Sequence, residues 1–215
     1  METDSTNYNG YSDWDRVYRT FNINSLPWAS HIIHPGLQDI INCLPIKSGR
    51  ALDIGCGIGQ TARYLAEVGF DTTAIDISGK AITLCREQTP NRLKINYIPA
   101  NSINFVDEEK YDLIIDFLHF HDVQESHLKQ YINNICTLAR NNAYIIISAL
   151  SDSDKSCPAT KCRISNYVKG YVYYYSIADL NNLLSRFSRK CHSGKINVGN
   201  EVESYVANYA IFNKI

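Results

Sequence analysis

Apolar runs alternate with amphipathic stretches through the middle of the chain. Five runs have the length and β-branched content of buried strands, at residues 50–54, 72–76, 94–98, 111–117 and 143–150. Helical periodicity occupies the intervals at residues 60–68, 80–88 and 125–139. Strands joined through helices predict βαβ units and a parallel sheet, and continuous apolar runs are typical of strands covered on both faces.

The N-terminal part and the segment after the fifth strand depart from this alternation. Residues 1–30 predict an irregular lead-in that can include a short helix, and residues 30–44 predict a helix that ends before Pro45. Residues 151–175 begin as a polar stretch with turn signals, which predicts an insertion or a lid.

The C-terminal part predicts one helix and two strands. Ser176 is a suitable N-cap for a helix over residues 176–187. Residues 190–198 and 203–214 predict two strands joined by a hairpin turn.

Composition and charge narrow the classes of partner. The 215 residues are 45% hydrophobic and 11% aromatic, which is the composition of a folded domain. Lys and Arg number 21 and Asp and Glu 22, a net charge of −1, so no nucleic-acid partner is expected. We expect no membrane association, because no run of about 18 apolar residues occurs and the N-terminus lacks the order of a signal peptide.

The seven cysteines indicate a reduced compartment, since their number is odd and they are scattered through apolar runs. A cytoplasmic location is therefore expected. Cys157 and Cys162 lie close together without a second cysteine pair, and closed zinc sites need four ligands. No metal site is expected.

The informative motif is Asp-Ile-Gly-Cys-Gly-Ile-Gly at residues 53–59, which joins the first predicted strand to a helix. Glycines permit positive φ and bring a ligand close to the backbone. The adjoining helix N-terminus offers free N–H groups, and ligands of open α/β sheets bind at the carboxyl ends of the strands. The motif predicts a site for a small anionic or zwitterionic group.

Two cofactor classes compete for this loop. A dinucleotide fingerprint would place its third glycine at position 60, where this chain has Gln60. The carboxylate of Asp53 would repel a pyrophosphate and attract an ammonium group. Both features disfavour a nicotinamide-dependent oxidoreductase.

The motif closely resembles the first motif of class I S-adenosylmethionine-dependent methyltransferases. The resemblance continues through Ala-Ile-Asp-Ile-Ser at residues 74–78 and Tyr-Asp-Leu-Ile-Ile-Asp at residues 111–116, and it covers about residues 48–150. It implies an α/β, Rossmann-like doubly wound sheet of seven mostly parallel strands, with an antiparallel last strand and helices on both faces.

The resemblance also implies the roles of individual residues toward S-adenosylmethionine and its product S-adenosylhomocysteine. The glycine loop would line the methionine moiety, Asp53 would hold its amino group directly or through water, and Asp76 would accept both ribose hydroxyls. Ile77 would pack on the adenine. The cofactor-binding residues implied are Asp53, Gly55, Cys56, Gly57, Gly59, Asp76, Ile77, Asn101, Ser102, Asp116 and Phe117.

The chain differs from the common family pattern at two places, and a cysteine lies within its glycine loop. Asn101 stands where the family often has an acid for the adenine amino group, and its amide oxygen can still accept that hydrogen bond. Residues 140–142, Arg-Asn-Asn, replace a common Pro-Gly-Gly turn, which Asn can still form because it tolerates a left-handed backbone. Cys56 is expected to be a small buried filler rather than a nucleophile.

The lead-in resembles the segment that closes over cofactor and substrate in thiopurine- and tellurite-resistance-type methyltransferases. Trp14, Tyr18 and Trp28 carry this resemblance and are candidate substrate residues. We expect a single domain over residues 1–215, composed of an N-terminal cap (1–45), a cofactor-binding core (46–150), an insertion or lid (151–175) and a C-terminal helix with strands (176–215).

Candidate catalytic groups follow the fourth strand. His119 and His121 could act as general bases if the methyl acceptor is a hydroxyl or an amine, whereas a thiolate would need no base. Alternatively, one histidine caps the next helix. His119 and Tyr173 are also candidate substrate residues, although the tyrosine-rich run around Tyr173 is equally typical of an edge strand. Lys155, Lys161 and Arg163 indicate a solvated loop.

These observations favour a methyltransferase that acts on a small molecule. One alternative is a catalytically silent cofactor-binding or regulatory module, and another is a protein or nucleic-acid methyltransferase. The acceptor and the oligomeric state are not predicted.

Overall fold

The computed structural model describes residues 10–185, 187–200 and 203–215. The described residues form nine strands: β1 (Gly49–Ile54), β2 (Phe70–Asp76), β3 (Ile95–Pro99), β4 (Tyr111–Phe117), β5 (Ala139–Leu150), β6 (Cys162–Ile164), β7 (Tyr171–Tyr173), β8 (Ser188–Gly199) and β9 (Ser204–Lys214). The helices are α1 (Gly10–Thr20), α2 (Pro35–Cys43), α3 (Gln60–Glu67), α4 (Gly79–Gln88), α5 (Leu128–Leu138) and α6 (Ile177–Leu183).

Seven strands form one sheet in the order β3-β2-β1-β4-β5-β9-β8. Strands β1 to β5 pair in parallel, and β9 pairs antiparallel with both β5 and β8. The predicted fold, including the antiparallel last strand, is confirmed. Strands β6 and β7 form a separate two-stranded hairpin within the segment predicted to be an insertion.

The two faces of the sheet bury different helices because successive side chains point to opposite sides of a strand. Leu52, Ile114 and Ile145 pack with residues of α5 and α6. Ala51, Leu113 and other residues one position away pack with α2 and α3. Both faces are therefore covered, which explains the continuous apolar runs in the sequence.

Helix α2 starts five residues later than predicted. Nδ1 of His34 accepts a hydrogen bond from the Gly36 N–H at 3.2 Å, which caps the helix, and Pro35 occupies the first helical position. Conversely, the irregular lead-in contains the 11-residue helix α1. The hydrophobic pattern alone indicates only the possibility of a short helix in this N-terminal part.

Other boundaries move by a few residues. Helix α5 begins at Leu128, after a single 3₁₀ turn at Glu125–His127, and α6 ends at Leu183. The capping box of Ser176 and Asp179 is present. Strand β5 begins at Ala139 rather than at residue 143, so the turn predicted at residues 140–142 is replaced by an irregular part of the strand, where Asn142 has φ +65.

No helix in the described parts of the chain is long and apolar enough to cross a membrane. All seven cysteines are free.

Candidate cofactor and acceptor site

A cavity of about 690 Å³ opens at the carboxyl ends of the parallel strands. Its volume lies within the ~300–1,000 Å³ typical of small-ligand sites. It runs from the glycine loop to the segments that cover the sheet. The predicted site residues that line it are Trp14, Tyr18, Trp28, Gly55, Cys56, Gly57, Asp76, Ile77, Asn101, Ser102, Phe117, His119 and His121.

The three glycines of the loop all have positive φ, between +54 and +82, but they face different surroundings. A Cβ on Gly57 would meet only the Tyr18 hydroxyl, at 3.1 Å, so this glycine faces the open cavity. A Cβ on Gly59 would lie 2.8 Å from the Tyr97 hydroxyl and 3.0 Å from Cys85 Sγ. Gly59 therefore packs inward at the start of α3 and does not line the cavity, in contrast to the role implied for it.

Cys56 is buried beside Cys85. A hydrogen bond with Cys85 and burial raise the pKa of the Cys56 thiol well above its usual range. A thiol held neutral is a poor nucleophile, so the environment of Cys56 agrees with a packing role.

Asp53 is a buried carboxyl group that lies outside the cavity lining. Its Oδ2 atom has no hydrogen-bond partner among the described residues. Burial raises the pKa of Asp53 to about 8, only partly opposed by a hydrogen bond from the Ala62 N–H. A buried acceptor that lacks a hydrogen-bond donor and lies next to a glycine loop fits a cationic ligand group such as an ammonium. A water molecule can bridge the two.

Gln60 supplies a second uncompensated acceptor, this time on the cavity wall. Its Nε2 donates to the Trp28 carbonyl oxygen at 3.2 Å, while its buried Oε1 has no partner in the described parts of the chain. In the sequence, Gln60 stands out only as the residue in place of a third dinucleotide glycine, and no motif marks its side chain as a ligand-binding candidate.

Asp76 at the end of β2 is held by backbone groups on both sides. Its Oδ2 accepts the Gly57 N–H at 2.9 Å and its Oδ1 accepts the Ser78 N–H at 2.8 Å. Burial raises the pKa of Asp76 to about 6, and these two hydrogen bonds limit the rise. Each oxygen keeps lone-pair capacity for a further donor, so the fixed carboxylate can accept two hydroxyls of a diol.

Asn101 and Ser102 follow β3 at the cavity wall. Oδ1 of Asn101 accepts the Ile103 N–H at 2.9 Å, which fixes the amide and leaves one acceptor position on the same oxygen. Ser102 Oγ lies 3.2 Å from His119 Nε2. The structure therefore links Ser102 to the loop after β4.

Asp116 positions His119 and is not itself on the cavity wall. Its Oδ1 accepts the backbone N–H groups of His119 and Phe120, and its Oδ2 pairs with His119 Nδ1 at 2.9 Å and with the Tyr131 hydroxyl. Burial lowers the pKa of His119, but the Asp116 carboxylate outweighs it and leaves the pKa raised. Asp116, which the resemblance places among the cofactor-binding residues, therefore lies behind His119 and outside the cavity lining.

His121 has the opposite environment. Its Nδ1 is buried without a hydrogen-bond partner in the described structure, and its Nε2 lies 3.8 Å from Asp122 Oδ2. Burial lowers the pKa of His121, only partly opposed by the charge of Asp122. The two candidate histidines are thus electrostatically distinct, one favouring the cation and the other the neutral ring.

Leu118 connects Phe117 to His119 with φ +65, a conformation that a branched residue rarely adopts. Its N–H donates to Ser148 Oγ at 3.1 Å. Backbone strain of this kind occurs at ligand sites, where the surrounding structure enforces it. No local pattern in the sequence indicates this strained backbone at Leu118.

The N-terminal segment and the insertion meet over the cavity. The ring of Trp28 contacts those of Trp14 and Tyr167, with centroids 5.7 and 4.6 Å apart, and its Nε1 donates to the Tyr18 hydroxyl at 3.1 Å. Arg16 Nη2 donates to the Tyr167 carbonyl oxygen at 2.7 Å. We use the term aromatic cover for the group of Trp14, Arg16, Tyr18, Trp28 and Tyr167.

Asp15 links helix α1, which carries part of the aromatic cover, to the start of α4. Its Oδ1 accepts the Ser78 hydroxyl at 2.6 Å and the Lys80 N–H at 2.9 Å, at the start of α4. Burial raises the pKa of Asp15, but these hydrogen bonds and Arg19 outweigh it, so the pKa is lowered. Helix α1 is therefore anchored two residues from Asp76.

The hairpin of β6 and β7 places alternate residues toward the cavity. Arg163 pairs in register with Val172, and both line the cavity, whereas Ile164 faces solvent. Tyr173 lies one position out of phase and does not line the cavity, so its prediction as a substrate residue is not supported by its position. Arg163, predicted to be solvated, is on the cavity wall instead.

Comparison with known proteins identifies the family. The family described as tellurite resistance protein TehB matches residues 28–195, well over half of the chain. The chain belongs to the TehB family. It is 29% identical over 126 residues to the probable S-adenosyl-L-methionine-dependent methyltransferase TehB of Haemophilus influenzae, a match that spans 56% of this chain and 43% of that protein.

Two further comparisons concern a curated relative and the fold. An uncharacterised methyltransferase of Schizosaccharomyces pombe is 28% identical over 107 residues, 49% of this chain and 74% of that protein. A solved structure described as the conversion of a disulfide bond into a thioacetal group during echinomycin biosynthesis has a TM-score of 0.78 at 21% identity and covers 96% of this chain and 92% of that chain.

As a TehB-family member the chain is an S-adenosylmethionine-dependent methyltransferase. The predicted class, enzyme type and cofactor are confirmed. The uncompensated acceptors on Asp53 and Gln60 and the fixed carboxylate of Asp76 are the features of this structure that fit that cofactor.

Proposed function

We propose that the chain transfers a methyl group from S-adenosylmethionine to a small molecule held beneath the aromatic cover. The observation that carries this proposal is a single cavity whose wall includes Gly57 and Asp76 at one part and Trp28 and Tyr167 at another. A polymer substrate would need an open groove, whereas Trp28 and Tyr167, which both line the cavity, are in contact where the N-terminal segment meets the insertion.

A solved neighbour supports a small acceptor. The 1,6-didemethyltoxoflavin-N1-methyltransferase of Burkholderia thailandensis was crystallised with bound 1,6-didemethyltoxoflavin and S-adenosylhomocysteine. It has a TM-score of 0.67 at 17% identity and covers 95% of this chain and 84% of that chain. The likeness concerns the fold, and we extend it to the size of the acceptor only as part of the proposal.

Six residues would hold the cofactor. The carboxylate of Asp76 would accept hydrogen bonds from the ribose hydroxyls, and the side-chain oxygens of Asp53 and Gln60 would accept them from the amino group. Gly57 would allow the methionine moiety to approach the backbone. Ile77 and Asn101 would contact the adenine. The bound cofactor supplies an electrophilic methyl group together with its leaving group.

The protein then has to align the acceptor and exclude water. Alignment of two reactants can lower a barrier by about 7–11 kcal/mol, and a closed cavity removes competing water. The aromatic cover and the strained loop around Leu118 would provide this alignment.

His121 is the better candidate for a general base. The neutral form, which accepts a proton, is favoured at His121 by burial, and Asp122 would stabilise the cation formed afterwards. Both ring nitrogens of His119 are already engaged, by Asp116 and Ser102. We therefore assign His119 a positioning role and His121 the proton transfer for an acceptor with an O–H or N–H group.

Calorimetric titration tests the cofactor site. We expect the wild type to bind S-adenosylhomocysteine and not NAD, and Asp76→Ala to weaken binding at least about tenfold, since two hydrogen bonds to a charged group are lost. Asp39→Ala, at an exposed position of α2, is the matched control and should bind normally. Undiminished binding by Asp76→Ala would overturn the assignment.

The predicted cytoplasmic location remains a proposal, which the seven free cysteines support.

A further inference from the structure

Beyond the residues assigned to the cofactor, the cavity continues as a chamber between the sheet edge, the hairpin and the aromatic cover. Its wall there is largely apolar or aromatic, formed by Phe117, Leu150, Tyr167, Val172, Val198 and Tyr205. A chamber of this kind accommodates a flat organic framework through apolar contact and ring packing.

Arg163 brings a positive charge to this apolar wall. Among the described residues it is the only lysine or arginine that lines the cavity. The pairing of β6 with β7 fixes which face it occupies, because Arg163 is in register with the inward-facing Val172.

The guanidinium group is held in place by neutral partners. Its Nε donates to the Tyr174 hydroxyl at 2.8 Å, and its Nη1 donates to the Ile164 carbonyl oxygen at 3.3 Å. The guanidinium carbon lies 6.0 Å from the centre of the Tyr174 ring. In the described parts of the chain no carboxylate lies within ion-pair distance of Arg163.

Two acids lie at this part of the cavity, Asp122 on its wall and Glu203 beside Tyr205, and both have other partners. The charge of Arg163 also acts on Asp122. Asp122 faces His121, with Oδ2 at 3.8 Å from Nε2. Glu203 Oε2 accepts the Tyr205 hydroxyl at 2.7 Å. A partly buried cation that is oriented but unpaired favours an anion that arrives with the ligand.

We propose that the methyl acceptor is an organic acid, a planar framework whose carboxylate pairs with Arg163. This inference rests on the proposed function, since it assigns the acceptor end of the same cavity. The planar guanidinium matches a carboxylate geometrically, which a lysine in its place would not. A singly charged carboxylate also suits one arginine better than a phosphate dianion would, because Asp122 lies close by.

The experiment compares matched acids and amides on protein saturated with S-adenosylhomocysteine. The calorimetric probes are 3,4-dihydroxybenzoate with its amide, and quinoline-2-carboxylate with its amide. We expect wild type to bind at least one acid about tenfold or more tighter than its amide, the size expected for a hydrogen bond to a charged group. Arg163→Gln should abolish this preference, and Arg163→Lys should restore part of it.

Lys155→Gln is the matched control, since Lys155 is an exposed cation of the same segment. It should keep the preference for the acid. Unchanged binding of S-adenosylhomocysteine by Arg163→Gln would show that the variant is folded and that the cofactor site is intact.

The proposal is wrong if no acid in the panel binds better than its amide, or if Arg163→Gln keeps the preference. Because S-adenosylhomocysteine binding is measured on the same samples, either result can be separated from a failure of the cofactor site.

Discussion

The backbone of Gly55 packs directly against the side chain of His119. A Cβ at position 55 would lie 2.5 Å from the His119 Cβ and 2.6 Å from its Cγ. The loop after β1 and the loop after β4 are therefore interlocked, and the Asp116 carboxylate fixes His119 from the other side. This contact explains why position 55 requires glycine, in addition to its φ of +65.

Gly55→Ala should destabilise the protein by about 1–3 kcal/mol, the cost of overpacking, with roughly 1–2 kcal/mol more from the left-handed backbone. It should also weaken S-adenosylhomocysteine binding, because relief of the clash displaces either the glycine loop or His119. Urea unfolding measures the first effect and calorimetry the second. Gly79→Ala is the control, since nothing lies within 4 Å of the added Cβ. Equal stability of the two variants would contradict the interlock.

The pKa values of the two histidines, His119 and His121, should be shifted in opposite directions from the ordinary value of 6.5. The Asp116 carboxylate outweighs burial at His119 and raises its pKa, whereas burial lowers that of His121. Nitrogen-detected NMR should therefore show His119 protonated and His121 neutral near pH 6.5, with His121→Gln used for assignment. Asp116→Asn should lower the pKa of His119. The reverse order of titration would remove the basis for choosing His121 as the base.

Asp53 should make the ligand-free protein less stable at high pH. Its pKa is 3.8 when unfolded and about 8 when folded, so the folded state binds the proton more tightly. The stabilisation is complete below pH 3.8 and is lost as the pH rises through about 8. Thermal unfolding between about pH 5 and about pH 9 should show this loss in wild type and a flatter profile in Asp53→Asn. Parallel profiles would show that Asp53 ionises normally.

Asp15→Ala should loosen the N-terminal segment without unfolding the core. It removes the acceptor of the Ser78 hydroxyl and the Lys80 N–H. The dissociation rate of S-adenosylhomocysteine, measured by stopped-flow displacement, should rise about tenfold, the equivalent of one charged hydrogen bond. Asp39→Ala should leave the rate unchanged. A rate that is the same in both variants would mean that the anchor of α1 does not retain the ligand.

The sheet could be predicted from the sequence because its strands are buried on both faces and read as uninterrupted apolar runs. Asp76 could be predicted because it stands at the end of such a run, where parallel strands bind ligands. Helix α2 was placed too early because its start depends on the side-chain cap of His34, which an apolar pattern does not reveal.

The acceptor end was less predictable for a physical reason. Strands β6 and β7 contain three residues each, too few to show which alternate positions face inward. The sequence consequently predicts Tyr173 as a candidate substrate residue and Arg163 as part of a solvated loop, whereas Arg163 lines the cavity and Tyr173 does not. The contact between Trp28 and Tyr167 joins residues far apart in the chain, and no local pattern encodes it.

The N-terminal segment contacts both the glycine loop after β1 and the insertion. Tyr18 faces Gly57, and Trp28 contacts both Gln60 and Tyr167. A displacement of the N-terminal segment that uncovers the cofactor loop would therefore also break the contact between Trp28 and Tyr167. If the acceptor lies beneath the aromatic cover as proposed, both products would leave through the same opening.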